Sequence, residues 1–300
     1  MSGRPLVTVA IPLYRSLRFV DSIAANVANL EREDVEIVVS DRHGLDDAVD
    51  RLRERLAGDR RVTFRQDHDG CGWIDHYNHL LLASDAPFFM WMPHDDRFPR
   101  GYVTALVETL HEDPEAVLAF GRMDARSEDG SPVRFSSGAQ ATGERAGDPV
   151  ERAVAFLASV DQGVPFRGVF RRDRVVAAGL TLSSSCPLGD VSWLFALQFL
   201  GSFRFTESTD CIKVFHGPSV TQRLRSWATI GGCANAMRSF ADAYVPDPGA
   251  RARLATAIRS WQRREGPHFY AGQLARMLRV SARWRRRVRK FFDRVLHGDS

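Results

Sequence analysis

The stretch from Phe88 to Arg97 constrains the fold more than any other part of this sequence. Five apolar residues, Phe-Phe-Met-Trp-Met, are followed by a proline, a histidine and two adjacent carboxylates. A short apolar run of this kind is typical of a strand that is buried on both faces of a parallel sheet. In open α/β sheets, ligands bind beyond the carboxyl ends of the strands. We therefore expect Asp95 and Asp96 to lie in a ligand-binding crevice.

Two neighbouring carboxylates at such an edge suit a hard divalent cation, Mg²⁺ or Mn²⁺, that is shared with substrate phosphates. The alternative is a turn at the strand end whose aspartates cap the next helix. The pair by itself does not decide between a metal site and a turn.

Strands and helices alternate along the first half of the chain. Three β-branched or apolar runs precede the Phe88 strand, each followed by a helical pattern: Val7–Ile11, Val35–Val39 and Val62–Phe64. This alternation predicts an α/β fold with a Rossmann-like, mostly parallel sheet flanked by helices. Further on, we predict strands at Ala116–Phe120, Val164–Phe170, Phe203–Phe205 and Cys211–Phe215, and helices at Tyr102–Glu112, Val150–Val160 and Leu188–Leu200.

The composition is that of a globular protein with one large domain or one domain with an appendage. The chain has 300 residues, of which 44% are hydrophobic. No apolar run approaches the roughly 20 residues needed to span a bilayer, and Met1 to Leu6 contains no signal sequence, so we expect a cytoplasmic protein. The four cysteines lie far apart and form no C-x-x-C motif. We therefore expect reduced thiols and neither a zinc site nor a disulfide framework.

The positive charge is concentrated at the C-terminus. Arg279 to Ser300 carries eight cations and two acids, so the rest of the chain is slightly negative although the net charge is +4. Nucleic-acid binding is therefore not expected. Apolar residues line one face of this segment, which predicts a basic amphipathic helix. It could pack on its own domain, form a homodimer with a second subunit, or contact an anionic membrane peripherally.

Four segments in the first 100 residues resemble glycosyltransferases of family 2, which have the GT-A fold. Val7–Tyr14 is similar to their opening strand and Val35–Asp41 to their second strand with its base-contacting aspartate. His76–Ala83 is similar to their third helix, and Met92–Asp96 to their metal motif. The resemblance extends over roughly Val7 to Gln222. It implies a GT-A catalytic domain at residues 1–221, followed by a helical region at residues 222–300.

The resemblance also implies an activity and a catalytic base. Family members transfer a sugar from a nucleoside-diphosphate sugar to an acceptor hydroxyl, and Asp190 matches the position of their base. The usual Glu-Asp pair is here Gly189-Asp190. An ordinary N-cap aspartate is the alternative for Asp190. A single base without a covalent nucleophile implies inversion at the anomeric carbon.

The resemblance assigns further residues to the donor and the metal. Asp96 is expected to bind the metal. Asp95 is expected to contact either the nucleotide ribose or the groups that bind the metal. Pro93 stands where the family's D-x-D-D motif usually has another acid. His216 could complete the metal site. By their position at the ends of the first two strands, Pro12, Tyr14 and Asp41 could contact the base of a UDP- or dTDP-type donor. Asp69 or Asp67 could add a further nucleotide contact.

Other residues are open to two interpretations. Trp73 and Trp193 could stack on sugar or acceptor rings or lie in the core, and Arg171 and Arg172 could touch the diphosphate. The loop Ser127–Pro149 is long enough to be a lid or a binding loop. P-loop, H-E-x-x-H and G-x-S-x-G motifs are absent from the sequence, which argues against the commonest NTPases, zinc proteases and hydrolases. A metal-dependent nucleotidyltransferase and a non-catalytic scaffold remain as alternatives.

Overall fold

The computed structural model describes residues 4–67, 71–133, 147–159, 162–184, 186, 188–216 and 227–265. Seven strands form one sheet in the order β3-β2-β1-β4-β6-β5-β7. The pairs β1–β2, β2–β3, β1–β4 and β5–β7 are parallel, whereas β6 is antiparallel to both of its neighbours. The strands are β1 (Val7–Leu13), β2 (Val35–Asp41), β3 (Val62–Gln66), β4 (Phe88–Trp91), β5 (Ala116–Ser127), β6 (Val169–Arg171) and β7 (Ser202–Phe215).

Helices connect and cover these strands. Those before β6 are α1 (Val20–Ala28), α2 (Ala48–Arg55), α3 (Trp73–Leu82), α4 (Tyr102–Glu112) and α5 (Pro149–Ala158). Those after it are α6 (Arg172–Ala177), α7 (Gly189–Leu197), α8 (Trp227–Tyr244) and the helical residues 248–265, here α9. The mixed α/β architecture with a mostly parallel sheet is the one that the alternating sequence pattern predicts.

The apolar run at Phe88 forms the centre of the core. All four residues of β4 are buried. The ring centroid of Trp91 lies 5.1 to 5.2 Å from those of Phe166, Phe170 and Trp193. Each buried aromatic side chain removes a large apolar surface from water, which makes such clusters a main source of stability. The charged residues after β4 are thereby held at a rigid sheet edge.

The predicted strand Val164–Phe170 is wrong in its first half. Val164–Arg167 forms a 3-10 helix, and the strand covers only Val169–Arg171. Pro165 has no backbone N–H with which to join a sheet. At Gly168 the backbone passes so close to β5 that a Cβ atom would lie 2.3 Å from the carbonyl oxygen of Ala119. The chain therefore turns here before it enters the sheet.

The two strands predicted at Phe203–Phe205 and Cys211–Phe215 are one continuous strand, β7. Its pairing with β5 changes register between Gly121, which pairs with Thr206, and Arg122, which pairs with Asp210. This irregularity bulges towards Gly121, where a Cβ atom would lie 2.4 Å from the carbonyl oxygen of Thr209. The polar residues between the two apolar runs thus form a bulge within a strand and not a loop between strands.

The C-terminal helices share the core of the sheet domain. Phe240 of α8 packs against Phe195 and Phe199, and Trp261 of α9 donates a hydrogen bond to Gln162 at 2.7 Å. The domain boundary predicted at residue 221 and the basic helix Arg279–Ser300 lie outside the described residues, so both stay predictions. Within the described part of the chain, no helix has the length and apolar character needed to cross a membrane.

The expectation of four reduced cysteines is wrong for two of them. Cys186, before α7, and Cys233, in α8, form a disulfide with a Cα–Cα distance of 5.0 Å across 47 residues of sequence. Cys71 and Cys211 form no disulfide. Wide spacing in the sequence did not exclude a disulfide, because the fold brings Cys186 next to α8. The bond fastens the segment before α7 to the C-terminal helices.

We expect loss of this disulfide to destabilise the protein. Replacing Cys186 and Cys233 together by serine should lower the free energy of unfolding by about 2 to 4 kcal/mol, since closing a loop of this length restricts the unfolded chain. Urea denaturation with and without dithiothreitol measures the effect. The reductant should weaken the wild type and the control Cys71→Ser, and leave the double variant unchanged. If the urea midpoint of the wild type is the same with and without dithiothreitol, this prediction is contradicted.

Candidate functional site

The carboxyl ends of β1, β2 and β4 meet at one edge of the sheet. Leu13 pairs with Asp41 in the register of β1 and β2, and Ala10 pairs with Trp91 in that of β1 and β4. The carbonyl oxygen of Pro12 accepts a hydrogen bond at 3.1 Å from Nδ1 of His94. The structure thus places Pro12, Tyr14, Asp41 and Asp95 at the same edge, as the parallel strand order predicts.

Asp41 shapes the turn that follows β2. Its side chain is buried, and Oδ1 accepts hydrogen bonds from the backbone N–H groups of His43 and Gly44 at 2.9 and 3.2 Å. The ring of Tyr14 is 48% exposed and packs edge-on against His43. A structural role for Asp41 is therefore clear, and the exposed phenol beside it offers a face to a flat ligand.

His76 forms part of the floor under this edge. It is buried, with Nε2 at 2.8 Å from the hydroxyl of Ser40. Burial, together with the charge of Arg42, lowers its pKa to about 4. His76 is therefore neutral near pH 7 and serves as a hydrogen-bonding group.

Asp96, the predicted metal ligand, is fully buried and already has partners. Its Oδ2 accepts a hydrogen bond from Nε of Arg167 at 2.6 Å, and its Oδ1 one from the backbone N–H of Val214 at 3.3 Å. The side chain of Arg167 is only 11% exposed. Asp96 thus links the end of β4 to the 3-10 helix and to β7.

Asp95 is the carboxylate of the pair that faces the cleft. It is half-buried, and its side chain has no hydrogen bond to any other described residue. The turn that carries it is held by buried Asn26, whose amide donates to the carbonyl of Asp96 at 2.9 Å and accepts from the N–H of Phe98. The sequence did not single out Asn26. The turn is therefore held in place, and the carboxylate of Asp95 is available to bind a ligand.

Two cations lie among these acids. Burial is the strongest single influence on Arg167 and lowers its pKa. The charge of Asp96, its hydrogen bond to Arg167, and the nearby Cys211 and Asp95 together outweigh burial and keep this pKa above its usual value. The charge of Arg167, followed by burial, lowers the pKa of Lys213, while Asp96, Asp95 and Asp190 oppose that shift. Each of these side chains is thus close enough to feel the others. Arg167 and Lys213 thus partly balance the three acids Asp95, Asp96 and Asp190.

Asp190 enters the site from the first turn of α7. It is not the N-cap, a position that Leu188 occupies, and its Oδ1 accepts from the backbone N–H of Val191 at 3.0 Å. Burial raises the pKa of Asp190, against the lowering effects of that hydrogen bond and of Arg167. A half-buried carboxylate with a raised pKa is a stronger base than an exposed one.

His216 lies at the end of β7. Its Nδ1 donates to Glu128 at 2.7 Å, which also lowers the pKa of Glu128, and its Nε2 is buried without a partner in the described residues. Phe19 separates it from His94, with ring centroids 4.7 and 5.1 Å away. An unpaired Nε2 whose ring is oriented by a carboxylate is the arrangement seen in metal-binding histidines.

The described residues contain no group of three or more His, Cys, Asp or Glu side chains that could hold a metal by themselves. This donor set still suits Mg²⁺ or Mn²⁺, which bind proteins through one or two carboxylates and take their other ligands from substrate phosphates and water. Asp95 supplies such a carboxylate, and the orphaned Nε2 of His216 is a second candidate ligand. The residues present therefore fit a metal that is bound together with its substrate.

Several residues considered from the sequence lie elsewhere. Arg171 binds the carbonyl oxygens of Leu110 and Ala116, and Arg172 that of Leu81, so neither guanidinium is free to bind a diphosphate. Trp193 is buried in the core, whereas Trp73 is 37% exposed. Asp69 and residues 134–146 of the predicted loop lie outside the described residues.

The sequence model of glycosyl transferase family 2 matches residues 8–172, which is more than half of the chain. A curated relative, an uncharacterized glycosyltransferase of Rickettsia felis, is 24% identical over 132 residues. That match covers 44% of this chain and 22% of the relative, so the chain spans less than a quarter of the relative's length.

Two solved structures have a similar fold. S. aureus TarS in complex with UDP-GlcNAc superposes with a TM-score of 0.64 at 12% identity, covering 85% of this chain and 71% of that one. Mannosyltransferase PcManGT from Pyrobaculum calidifontis, in complex with GDP-Man and Mn²⁺, gives 0.54 at 14% identity, covering 94% and 81%. At these identities the likeness shows the fold alone, and that fold is GT-A. Together with the sequence match, it confirms the resemblance found in the sequence: the chain belongs to glycosyl transferase family 2.

Proposed function

We propose that this protein transfers a sugar from a nucleoside-diphosphate sugar to an acceptor hydroxyl, with inversion at the anomeric carbon. The observation that carries the proposal is the placement of Asp95 and Asp190 around the same cations, Arg167 and Lys213. One carboxylate lies at the sheet edge where nucleotides bind in such folds, and the other projects from a helix with a raised pKa. The proposed site for the sugar nucleotide and the proposed general base therefore border the same crevice.

Asp190 acts as the general base in this proposal. It accepts the proton of the acceptor hydroxyl while that oxygen attacks the anomeric carbon and the bond to the diphosphate breaks. Because Asp95 is assigned to the metal, the proposal has one base and no covalent nucleophile, which corresponds to a single displacement. General-base catalysis contributes a factor of about 10² to 10⁴ to the rate of such a step.

Asp95 takes the metal-binding role that the family resemblance implied for Asp96, because both oxygens of Asp96 are engaged inside the protein. His216 is a second candidate ligand through Nε2. A divalent cation bound here would act as a Lewis acid on the departing diphosphate. Lys213 stabilises the same negative charge from β7. Asp96 positions the turn, and Arg167 neutralises Asp96.

The nucleotide is proposed to bind at Pro12, Tyr14 and Asp41, with the base beside the exposed ring of Tyr14. A UDP- or dTDP-type donor agrees with the UDP-GlcNAc bound by TarS, whereas PcManGT binds GDP-Man. The contribution of Asp69, membrane contact or dimerisation through the last helix, and a cytoplasmic location stay predictions. A disulfide is uncommon in cytosolic proteins, so the Cys186–Cys233 bond is a reason to test the location.

A thermal-shift screen of nucleoside diphosphates with and without Mn²⁺ tests the donor site. We expect one nucleotide to raise the melting temperature and Mn²⁺ to increase that shift, because ligands stabilise the folded state that binds them. Asp95→Asn should lose the increment due to Mn²⁺ and keep the shift due to nucleotide alone. The matched control is Asp242→Asn, an exposed aspartate of α8. If Asp95→Asn keeps the full Mn²⁺ increment, Asp95 is not a metal ligand.

A further inference from the structure

Trp73 leaves part of a large indole ring in solvent next to the candidate active site. It is the first residue of α3 and is 37% exposed, whereas Trp91, Trp193 and Trp261 are almost fully buried. Its edge contacts Tyr77, one helical turn further on, with perpendicular rings whose centroids are 5.4 Å apart. Tyr77 in turn lies against Trp91 and Phe166. The exposed indole is therefore the outer end of an aromatic row that starts in the core.

This indole borders the catalytic turn of α7. A Cβ atom at Gly189 would lie 3.7 Å from Cη2 of Trp73 and 3.6 Å from Cδ1 of Ile74. Gly189 immediately precedes Asp190, so the indole packs against the residue next to the proposed base. A side chain at this position would begin in van der Waals contact with the ring. Glycine therefore lets the indole lie directly against the turn that carries Asp190.

Helix α3 and the chain that leads into α7 are fastened to each other. The side-chain amide of Asn78 in α3 donates to the carbonyl of Leu182 and accepts from its N–H, both at 2.8 Å. The Cys186–Cys233 disulfide then holds the segment between Leu182 and α7. Trp73 and Asp190 are thus presented at a fixed separation, as a binding platform and a base need to be.

An aromatic ring and a carboxylate, here Trp73 and Asp190, together suit a carbohydrate ligand. A pyranose has a flat C–H face, which packs on the electron-rich face of an aromatic ring, and a rim of hydroxyls, which a carboxylate can accept from. A lipid acceptor would need a contiguous apolar surface. Of the other large apolar side chains that are exposed in the described residues, Leu82 lies at the far end of α3 and Tyr244 at the end of α8. Tyr14, Leu17 and Leu45 belong to the turns after β1 and β2, where Tyr14 contacts His43 and the N–H of Leu17 donates to Asp46.

We propose that the acceptor is a saccharide whose ring stacks on Trp73 while the reacting hydroxyl donates its hydrogen bond to Asp190. This inference rests on the proposed glycosyl transfer and specifies its second substrate. It predicts that loss of the indole weakens acceptor binding and leaves donor binding intact. In kinetic terms, the KM for the acceptor should change and the KM for the donor should not.

The test uses the full chain and a panel of methyl pyranosides as acceptors, with the sugar nucleotide that the wild type hydrolyses as donor. For Trp73→Ala we expect an acceptor KM raised about 10-fold, as loss of one ring contact allows. Trp73→Phe should recover part of the affinity. Tyr244→Ala is the matched control, an aromatic residue that is 60% exposed on α8. Its acceptor KM should equal that of the wild type.

The outcomes separate this inference from the function on which it rests. If the wild type turns over no sugar nucleotide, the proposed glycosyl transfer fails. If it hydrolyses a donor and glycosylates no pyranoside, or if Trp73→Ala changes acceptor KM no more than Tyr244→Ala does, the saccharide platform is wrong and glycosyl transfer stands. An equal rise in donor and acceptor KM also contradicts it, because that pattern indicates a general distortion of the site.

Discussion

Replacing Asp190 by asparagine is expected to reduce sugar transfer by about 10² to 10⁴-fold, since the acceptor hydroxyl loses its general base. The fold should remain intact. Burial raises the pKa of this carboxyl, so the folded protein binds the proton more tightly than the unfolded chain does. Ionised Asp190 therefore lowers stability at neutral pH, and a neutral asparagine should leave the melting temperature unchanged or raise it. Nucleoside diphosphate release and thermal unfolding, measured side by side, test both halves.

The pH dependence of the wild type provides an independent readout. The base works only when ionised, so kcat/KM should fall as the pH drops through the raised pKa of Asp190, above the range of an ordinary aspartate. Asp190→Asn should lose this acidic limb together with the activity. The stability that protonated Asp190 contributes has the opposite dependence. It is present at low pH and is lost as the pH rises through the same pKa.

Asp173→Asn is the matched control for Asp190→Asn. Asp173 lies in the first turn of α6, and its Oδ1 accepts from the next backbone N–H at 2.9 Å, the same contact that Asp190 makes with Val191. It is exposed and lies at the opposite end of β4 from the crevice, since the N–H of the preceding Arg172 donates to the carbonyl of Pro87. Transfer should be unaffected in this variant. Full activity in Asp190→Asn, or an equal loss in Asp173→Asn, contradicts the assignment of Asp190 as the base.

Breaking the Asp96–Arg167 pair from either side is expected to cost about 3 to 5 kcal/mol of folding free energy, because each single change leaves a buried charge without its partner. The single variants are Asp96→Asn and Arg167→Met. The double variant should lose much less than the sum of the two, since it buries no unpaired charge. Urea unfolding of all three, analysed as a double-mutant cycle, measures the coupling between the two side chains.

The exposed pair Arg122–Asp210 is the control for this cycle. It joins β5 to β7 at 3.3 Å, and its side chains are 57% and 47% exposed. Removing either partner should change stability by only about 0 to 1 kcal/mol, as for other surface ion pairs. Additive losses at Asp96 and Arg167 would show that the buried contact is not a coupled pair. Asp96 would then be available to a ligand after all.

The sequence was informative wherever one local pattern determines the structure. The apolar run at Phe88 predicted a buried strand, and β4 lies at the centre of the core. The parallel order of the first strands predicted that Pro12, Tyr14 and Asp41 lie at one edge of the sheet, and the register of β1 and β2 agrees. These features depend on residues that are close in sequence, where periodicity and strand ends carry the signal.

The features that the sequence missed depend on residues that are far apart. Arg167 reaches Asp96 across 71 residues, and this contact decides which of two adjacent aspartates faces the crevice. No local pattern separates Asp95 from Asp96, since the division arises from the way the chain after Pro165 packs beneath β4. The Cys186–Cys233 bond has the same origin. Pro165 was the one available signal that the strand predicted at Val164 begins later.

The bulge of β7 opposite Gly121 has a consequence for the crevice. Successive residues of a strand project to opposite faces, so the number of residues in the bulge sets the phase of everything after it. Removing one residue from Glu207–Thr209 would rotate Lys213 away from the acids and turn an apolar neighbour towards them. We therefore expect this bulge to tolerate the insertion or deletion of two residues and to be disrupted by a change of one. The charge at the sheet edge thus depends partly on how many residues the bulge contains.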